Sequence, residues 1–160
     1  MSDPIKTILI VLGLAGVYPD VLINNITVAK KKEAIVANFT LENLVNPSIR
    51  DIIQSGAVVF FSFEIKTRVN SVAVFQTNIY FSISNKQNMF FLGNSKSLTF
   101  DALTNKLFRQ EMVVLPGYKK YGKSAGTAQI LLSIYAENIP NISDLWGNQP
   151  RMELNFQLKE

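Results

Sequence analysis

Arg151-Met152-Glu153-Leu154-Asn155-Phe156-Gln157-Leu158-Lys159 alternates polar and apolar residues without a fault. A period of two sends Met152, Leu154, Phe156 and Leu158 to one face and Glu153, Asn155, Gln157 and Lys159 to the other, the pattern of a strand with one dry and one wet side. The same pattern recurs through most of the chain. Val21 to Ala29 and Glu33 to Leu41 read as two strands joined by Lys30-Lys31-Lys32, with Ile35, Ala37, Phe39 and Leu41 sharing a face. Ala57 to Val69 and Ser71 to Ser84 read as a long central hairpin turning at Asn70. Its apolar sets are Phe61, Phe63, Ile65 and Phe75, Thr77, Ile79, Phe81, Ile83; Ser62, Glu64, Lys66, Gln76, Asn78, Tyr80 and Ser82 occupy the wetter face.

Two helical signals interrupt the strands. Asn46-Pro47-Ser48 supplies a capping side chain and a helix-starting proline ahead of Ile49 to Ser55, and Gly56 stands where a left-handed cap ends a helix; Ile49, Ile52 and Ile53 fall on the inward face. Further on, Asp101 is placed to cap a short turn over Ala102 to Phe108. Asn85 to Asn88 reads as a turn into Met89 to Leu92, with extended chain on through Lys96 to Phe100. Gln110 to Leu115 and Gly126 to Glu137 read as strands, Pro116 to Ala125 as a mobile loop rich in Gly, Lys and Tyr, and Pro140 to Pro150 as a crossover loop containing Trp146. Seven to eight strands with one or two short helices predict a mainly β chain, an antiparallel two-layer β-sandwich, because the connections are too short for parallel crossovers.

Composition narrows function by inventory. A chain of 160 residues without Cys or His has no thiol nucleophile, no Ser-His-Asp triad and no imidazole or thiolate metal ligand, so no cofactor is expected. Sixteen Lys and Arg against twelve Asp and Glu give +4, a mild preference for anionic surfaces that falls short of a dedicated nucleic-acid binder. With 48% apolar and 18% charged residues, the chain fills a core and is not disordered.

Residues 1–20 stand apart from the single sandwich domain expected over 21–160. Ile8 to Val17 is an apolar run preceded by Lys6 and followed by Tyr18-Pro19-Asp20. It has the length of a signal-peptide core and falls short of the roughly 20 apolar residues of a spanning helix, so it is a hydrophobic leader or a first buried element of the domain.

Ile49-Arg50-Asp51-Ile52-Ile53-Gln54-Ser55-Gly56-Ala57-Val58-Val59-Phe60 couples a short helix ending in Ser-Gly to an aromatic strand, and Leu98-Thr99-Phe100-Asp101-Ala102-Leu103-Thr104-Asn105-Lys106 and Asn138-Ile139-Pro140 follow. The order of these pieces resembles a bacterial envelope family named only as a domain of unknown function, DUF4390. That family's pattern has a helix ending in Ser-Gly or Asn-Gly and a later Tyr-Asp-x-Leu-Thr. Lys66-Thr67-Arg68-Val69-Asn70-Ser71 stands here where the family carries a stretch rich in Trp and Arg. The resemblance implies an extracytoplasmic β domain, periplasmic or otherwise outside the cytoplasm, and supplies no activity.

Tyr118-Lys119-Lys120-Tyr121-Gly122-Lys123 interleaves cations with aromatics, a composition that grips phosphates and stacks bases, or rests on anionic head groups, and that serves equally as solubilising charge on a loop. Lys30 to Lys32 reads as a solubilising hairpin tip. Trp146 is a plug for the end of the core or a pocket wall. Asp101, Glu111 and Asp144 are scattered, with no spacing that pairs two of them for acid and base work. Asn25-Ile26-Thr27, Asn38-Phe39-Thr40 and Asn141-Ile142-Ser143 match the glycosylation sequon, and two lie inside expected strands. The expectation is a non-enzymatic extracytoplasmic module that binds a protein, an envelope component or an anionic surface through Tyr118, Lys119, Lys120, Tyr121, Lys123 and Trp146, or through a sheet edge. A structural subunit of an envelope assembly, or an enzyme using carboxylates, Lys or Tyr, are the alternatives.

Overall fold

A computed structural model describes residues 18–93 and 97–158. The apolar run over residues 8–17, and the parts of the extended patterns that fall on Lys96 and Lys159, lie outside the described residues. Eight strands form two antiparallel sheets: β1 (Leu22–Lys31), β2 (Ala34–Glu42), β3 (Val59–Val69), β4 (Val72–Lys86), β5 (Met89–Leu92), β6 (Arg109–Pro116), β7 (Ala125–Ala136) and β8 (Arg151–Gln157). The order is β1-β2-β6 in one sheet and β5-β4-β3-β7-β8 in the other. The expected β-sandwich is therefore the fold.

Strand β3 is the axis of the wider sheet. Its eleven residues pair along their whole length with β4 on one side and β7 on the other, from Val59 opposite Ile83 and Ala136 to Val69 opposite Val72 and Gly126. Phe61, Phe63 and Ile65 point inward and are almost fully buried, against Ile35, Ala37, Phe39 and Leu41 on the inner face of β2. The Phe39 and Phe63 rings lie 6.4 Å apart across the two sheets, and Phe61 stacks on Phe81 at 5.1 Å within the wider one. Offset aromatic pairs of this kind add about 1 kcal/mol each beyond the area they bury.

Two turns depart from the expected boundaries. The β3–β4 turn comprises Asn70 and Ser71, both with positive φ (50° and 66°), and β4 runs on to Lys86 before Gln87 and Asn88 (52° and 63°) turn the chain into β5. Two successive left-handed residues match the right-handed twist of flanking strands, and this geometry turns the chain with no glycine at either site. Pro116 to Ala125, expected as a mobile loop, is tied down. Tyr118–Tyr121 forms a 3₁₀ turn, the Tyr118 N–H donates to the Glu33 carbonyl (3.2 Å), and the Leu158 N–H donates to the Ser124 carbonyl (2.8 Å).

Two helices close one end of the sandwich. In α1 (Pro47–Gln54) the Asn46 side chain accepts from the Ile49 N–H at 3.0 Å, Pro47 opens the first turn, and Gly56 follows with φ +104°. Ile49, Ile52 and Ile53 are buried, each contributing roughly 1.5–3 kcal/mol. Helix α2 (Phe100–Phe108) starts earlier than expected. Its cap is Thr99, not Asp101: the Thr99 backbone is extended and its hydroxyl accepts from the Ala102 N–H at 3.2 Å, which leaves Asp101 in the first turn facing the positive end of the helix dipole.

Asn46 does a second job. It is buried, and its Nδ2 donates to the Leu145 carbonyl at 2.7 Å, joining α1 to the distant Pro140 to Pro150 crossover. Asn46→Ala removes a cap of about 1 kcal/mol and orphans a buried carbonyl at a cost of about 1–3 kcal/mol. Urea unfolding should show a loss of about 2–4 kcal/mol with an unchanged slope, and Asn46→Asp, which keeps the cap but sets a buried carboxylate oxygen against the Leu145 carbonyl, should lose at least as much.

Candidate binding surfaces

The two lysine-bearing stretches, remote in sequence, meet at one end of the sandwich. The β1–β2 turn and the 3₁₀ turn lie side by side because Ala34 pairs with Pro116 and the Tyr118 N–H bonds to Glu33. Lys30 Nζ stands 5.2 Å from the centre of the Tyr118 ring, and Lys120 Nζ stands 5.2 Å from that of Tyr121. Lys31 pairs with Glu111 on β6 at 2.7 Å, with both side chains about half exposed. Lys32, Lys119, Lys120 and Lys123 are exposed. Six lysines thus share this end with Glu33 and Glu111. The Tyr118 and Tyr121 rings are half-buried against the core and serve as lids on it, with a lysine of the same end over each.

Trp146, expected with these residues, lies at the opposite end of the molecule. It is buried, 6.2 Å from Phe61, and its Nε1–H donates to the Leu44 carbonyl at 3.1 Å. The indole plugs the core and holds the turn after β2. Beside it the chain entering β1 is clamped: the Val21 N–H donates to Asn148 Oδ1, Asn148 Nδ2 donates to the Val21 carbonyl, and the Gly147 N–H donates to the Pro19 carbonyl. A Cβ on Gly147 would collide with the Tyr18 carbonyl and the Asp20 side chain, so this close approach requires glycine.

A third surface was only half visible as polar alternation. On the outer face of the wider sheet, β3 sets Phe60 between Ser82 and Tyr135 in one row, and Ser62 between Tyr80 and Ser133 in the next. Tyr80 and Tyr135 are 69% and 61% exposed, and the Phe60 and Tyr135 rings lie 6.2 Å apart. The signal lay in residues 60, 80 and 135, large aromatics occurring at the parity of the wet face.

A fourth surface is the edge of β4. From Val72 to Phe81 it has no strand neighbour on the side away from β3 among the described residues, and no charged residue interrupts it until Lys86. Strand β5, the outer strand on that side, is four uncharged residues bridged at Phe90 by Leu98, and the remaining three edges are blunted. Strand β1 carries Lys30, Lys31 and a kink at Asn25 (φ 53°), β6 carries Arg109, Glu111 and Pro116, and β8 carries Arg151 and Glu153.

Among the described residues, no group of three or more carboxylates stands close enough to hold a metal ion. Glu111 is engaged with Lys31, Asp144 lies near Tyr18 and Asp101 opens α2, so the three carboxylates of interest occupy separate neighbourhoods. No protein-family model matches the chain, and no curated protein or solved structure matches it either.

Burial, then the nearby Asp144 carboxylate, raises the Tyr18 pKa above 10.0. The folded chain therefore holds this proton more tightly than the unfolded one. The stabilisation is complete below pH 10.0 and is lost as pH rises through the higher folded value. Alkaline titration of chemical stability should show this decline in the wild type and a shallower one in Tyr18→Phe.

Proposed function

We propose that this chain is a non-enzymatic, extracytoplasmic interaction module whose lysine-rich end contacts an anionic component of the cell envelope. The observation that carries this reading is the convergence of Lys30, Lys31 and Lys32 with Lys119, Lys120 and Lys123 at one end of the sandwich, on turns held together by the Tyr118 to Glu33 hydrogen bond. The resemblance to an envelope family and the apolar run over residues 8–17 support the location.

Magnitudes limit what this end does alone. Each basic residue near an anionic surface contributes about 1 kcal/mol, and Glu33 and Glu111 offset part of the six, leaving on the order of 4 kcal/mol, a millimolar contact. Such a contact orients and concentrates the module and depends strongly on salt, since charges farther apart than about 8 Å are screened at physiological ionic strength. Nucleic acid fits less well, because the Tyr118 and Tyr121 rings are spent on the core and are not presented for stacking.

Co-sedimentation with vesicles containing phosphatidylglycerol tests the reading. The wild type should bind these and not pure phosphatidylcholine, with binding falling steeply between 50 and 300 mM salt, and the triple variant Lys32→Gln, Lys119→Gln, Lys120→Gln should lose about 3 kcal/mol, roughly a hundredfold. Equal binding of both vesicle types, or an unaffected triple variant, rejects it.

The charge-free β4 edge favours a second reading, a structural subunit that pairs edge to edge with its neighbours. Sedimentation velocity should then show association rising with concentration, abolished by Ile79→Lys, which places a charge on the half-covered flank of that edge. A chain that stays monomeric up to hundreds of micromolar removes this reading.

A further inference from the structure

The outer face of the wider sheet carries a depression of about 350 Å³ whose rim is formed by Phe60, Tyr80 and Tyr135, with the Ser62 and Ser133 hydroxyls at its floor. None of the three aromatics is needed to fill the core between the sheets, since β3, β4 and β7 already send Phe61, Phe63, Phe81, Leu132 and Ile134 inward. Both tyrosines that are more than half exposed among the described residues belong to this one patch. They arrive from β4 and β7 and reach the same place only through the register of β3, with Ser62 opposite both Tyr80 and Ser133.

The depression does not stand alone. Further down the same face lies a second of about 470 Å³, whose lining includes Glu64, Lys66, Gln129, Arg151 and Glu153, and a third that shares Lys66, Gln129 and Glu153 with it and adds Arg68 and Thr127; together the three line a trough along β3. From Phe60 to Arg68 this trough follows nine residues of one strand, about 26 Å at roughly 3.3 Å per residue. Its polar side chains are braced by one another: Lys66 pairs with Glu64 at 2.8 Å, and Thr127 Oγ1 donates to Asn155 Oδ1 at 3.1 Å. The charged lining residues balance, with Lys66, Arg68 and Arg151 against Glu64, Glu137 and Glu153.

We propose that this trough is a binding site for a linear, uncharged polysaccharide. Each part of the surface meets one part of such a ligand. A pyranose ring presents a flat face of C–H groups, which suits the exposed faces of Tyr80, Tyr135 and Phe60. Its hydroxyls both donate and accept, which suits a row alternating carboxylate, amide, guanidinium, ammonium and hydroxyl groups. The balance of charge selects a neutral polymer over a polyanion, and so sets this face apart from the lysine-rich end. The length of the trough calls for an extended ligand, and its openness makes the contact shallow, so affinity comes from several rings engaged at once.

Affinity electrophoresis of the intact chain through gels containing hydroxyethylcellulose, galactomannan, pullulan or alginate tests this proposal. At least one of the three neutral polymers should retard the wild type, and Tyr80→Ala with Tyr135→Ala should weaken that retardation at least tenfold. Both residues are largely exposed, so the variant should keep the wild-type circular dichroism. Lys119→Gln with Lys120→Gln should leave neutral-polymer retardation unchanged and reduce any retardation by alginate, which separates this site from the lysine-rich end. Lack of retardation by all three neutral polymers, or retardation that survives loss of both tyrosines, overturns the proposal. Binding of decaproline at the two tyrosines in place of any polysaccharide also overturns it, in favour of peptide recognition.

Discussion

Three strands have to cover five. At about 4.8 Å per strand, the sheet of β1, β2 and β6 is about 10 Å wide between its outer strands, against about 19 Å for its partner. Only a central band of the wider sheet can be closed by β2 and β6, and there Phe61, Phe63, Ile65, Ile130 and Leu132 are almost wholly buried. The remaining core needs other material, and the chain supplies it at one end: the three isoleucines of α1, Leu103 and Leu107 of α2, and Trp146 with Leu145 and Ile142. Asn46 and the Trp146 indole matter because they lock that added layer to backbone carbonyls far away in sequence. At the lower half of β4 no such layer is present among the described residues, and Phe75, Thr77 and Phe81 remain half-covered while Ile79 is exposed.

The sequence revealed what depends on periodicity and local chemistry. Alternation in Arg151 to Lys159 and Glu33 to Leu41 exposed the inner faces because one buried side imposes a period of two, and Asn46, Pro47 and Gly56 announced α1 because each satisfies a distinct steric or hydrogen-bonding demand of a helix end. Thr99 was passed over for Asp101 because both are good capping residues and the choice between them depends on backbone geometry two residues earlier. The extents of β4 and of the Asn70-Ser71 turn were blurred for a related reason: serine seldom occupies left-handed backbone, so nothing in its identity flags a turn.

The candidate surfaces were less legible, since each is made by pairing distant strands. Lys30 to Lys32 read as a solubilising tip and Tyr118 to Lys123 as a separate binding loop until the β2–β6 register placed them together. Trp146 read as a core plug or a pocket wall, and burial with a carbonyl partner makes it the plug and takes it out of the candidate binding residues. Phe60, Tyr80 and Tyr135 each look like ordinary strand residues, and the strand alternation marks them only as outward. Charge then divides the surface, with lysines gathered at one end and a balance of Lys66, Arg68 and Arg151 against Glu64, Glu137 and Glu153 along the outer face of the wider sheet.

The placement of β3 between β4 and β7 also has a consequence in time. The β3–β4–β5 meander is built from neighbours in sequence joined by two-residue turns, so it can form in microseconds, whereas β7 must return from far downstream to complete the other side of β3. During that interval the β3 edge of the meander is open. Once β7 and β8 dock, the β3 side is sealed, whereas β4 from Val72 to Phe81 has no strand neighbour on its other side among the described residues. Fast dilution, low concentration or a chaperone that occupies extended apolar strands should therefore govern the yield of native chain more than the depth of its final energy minimum.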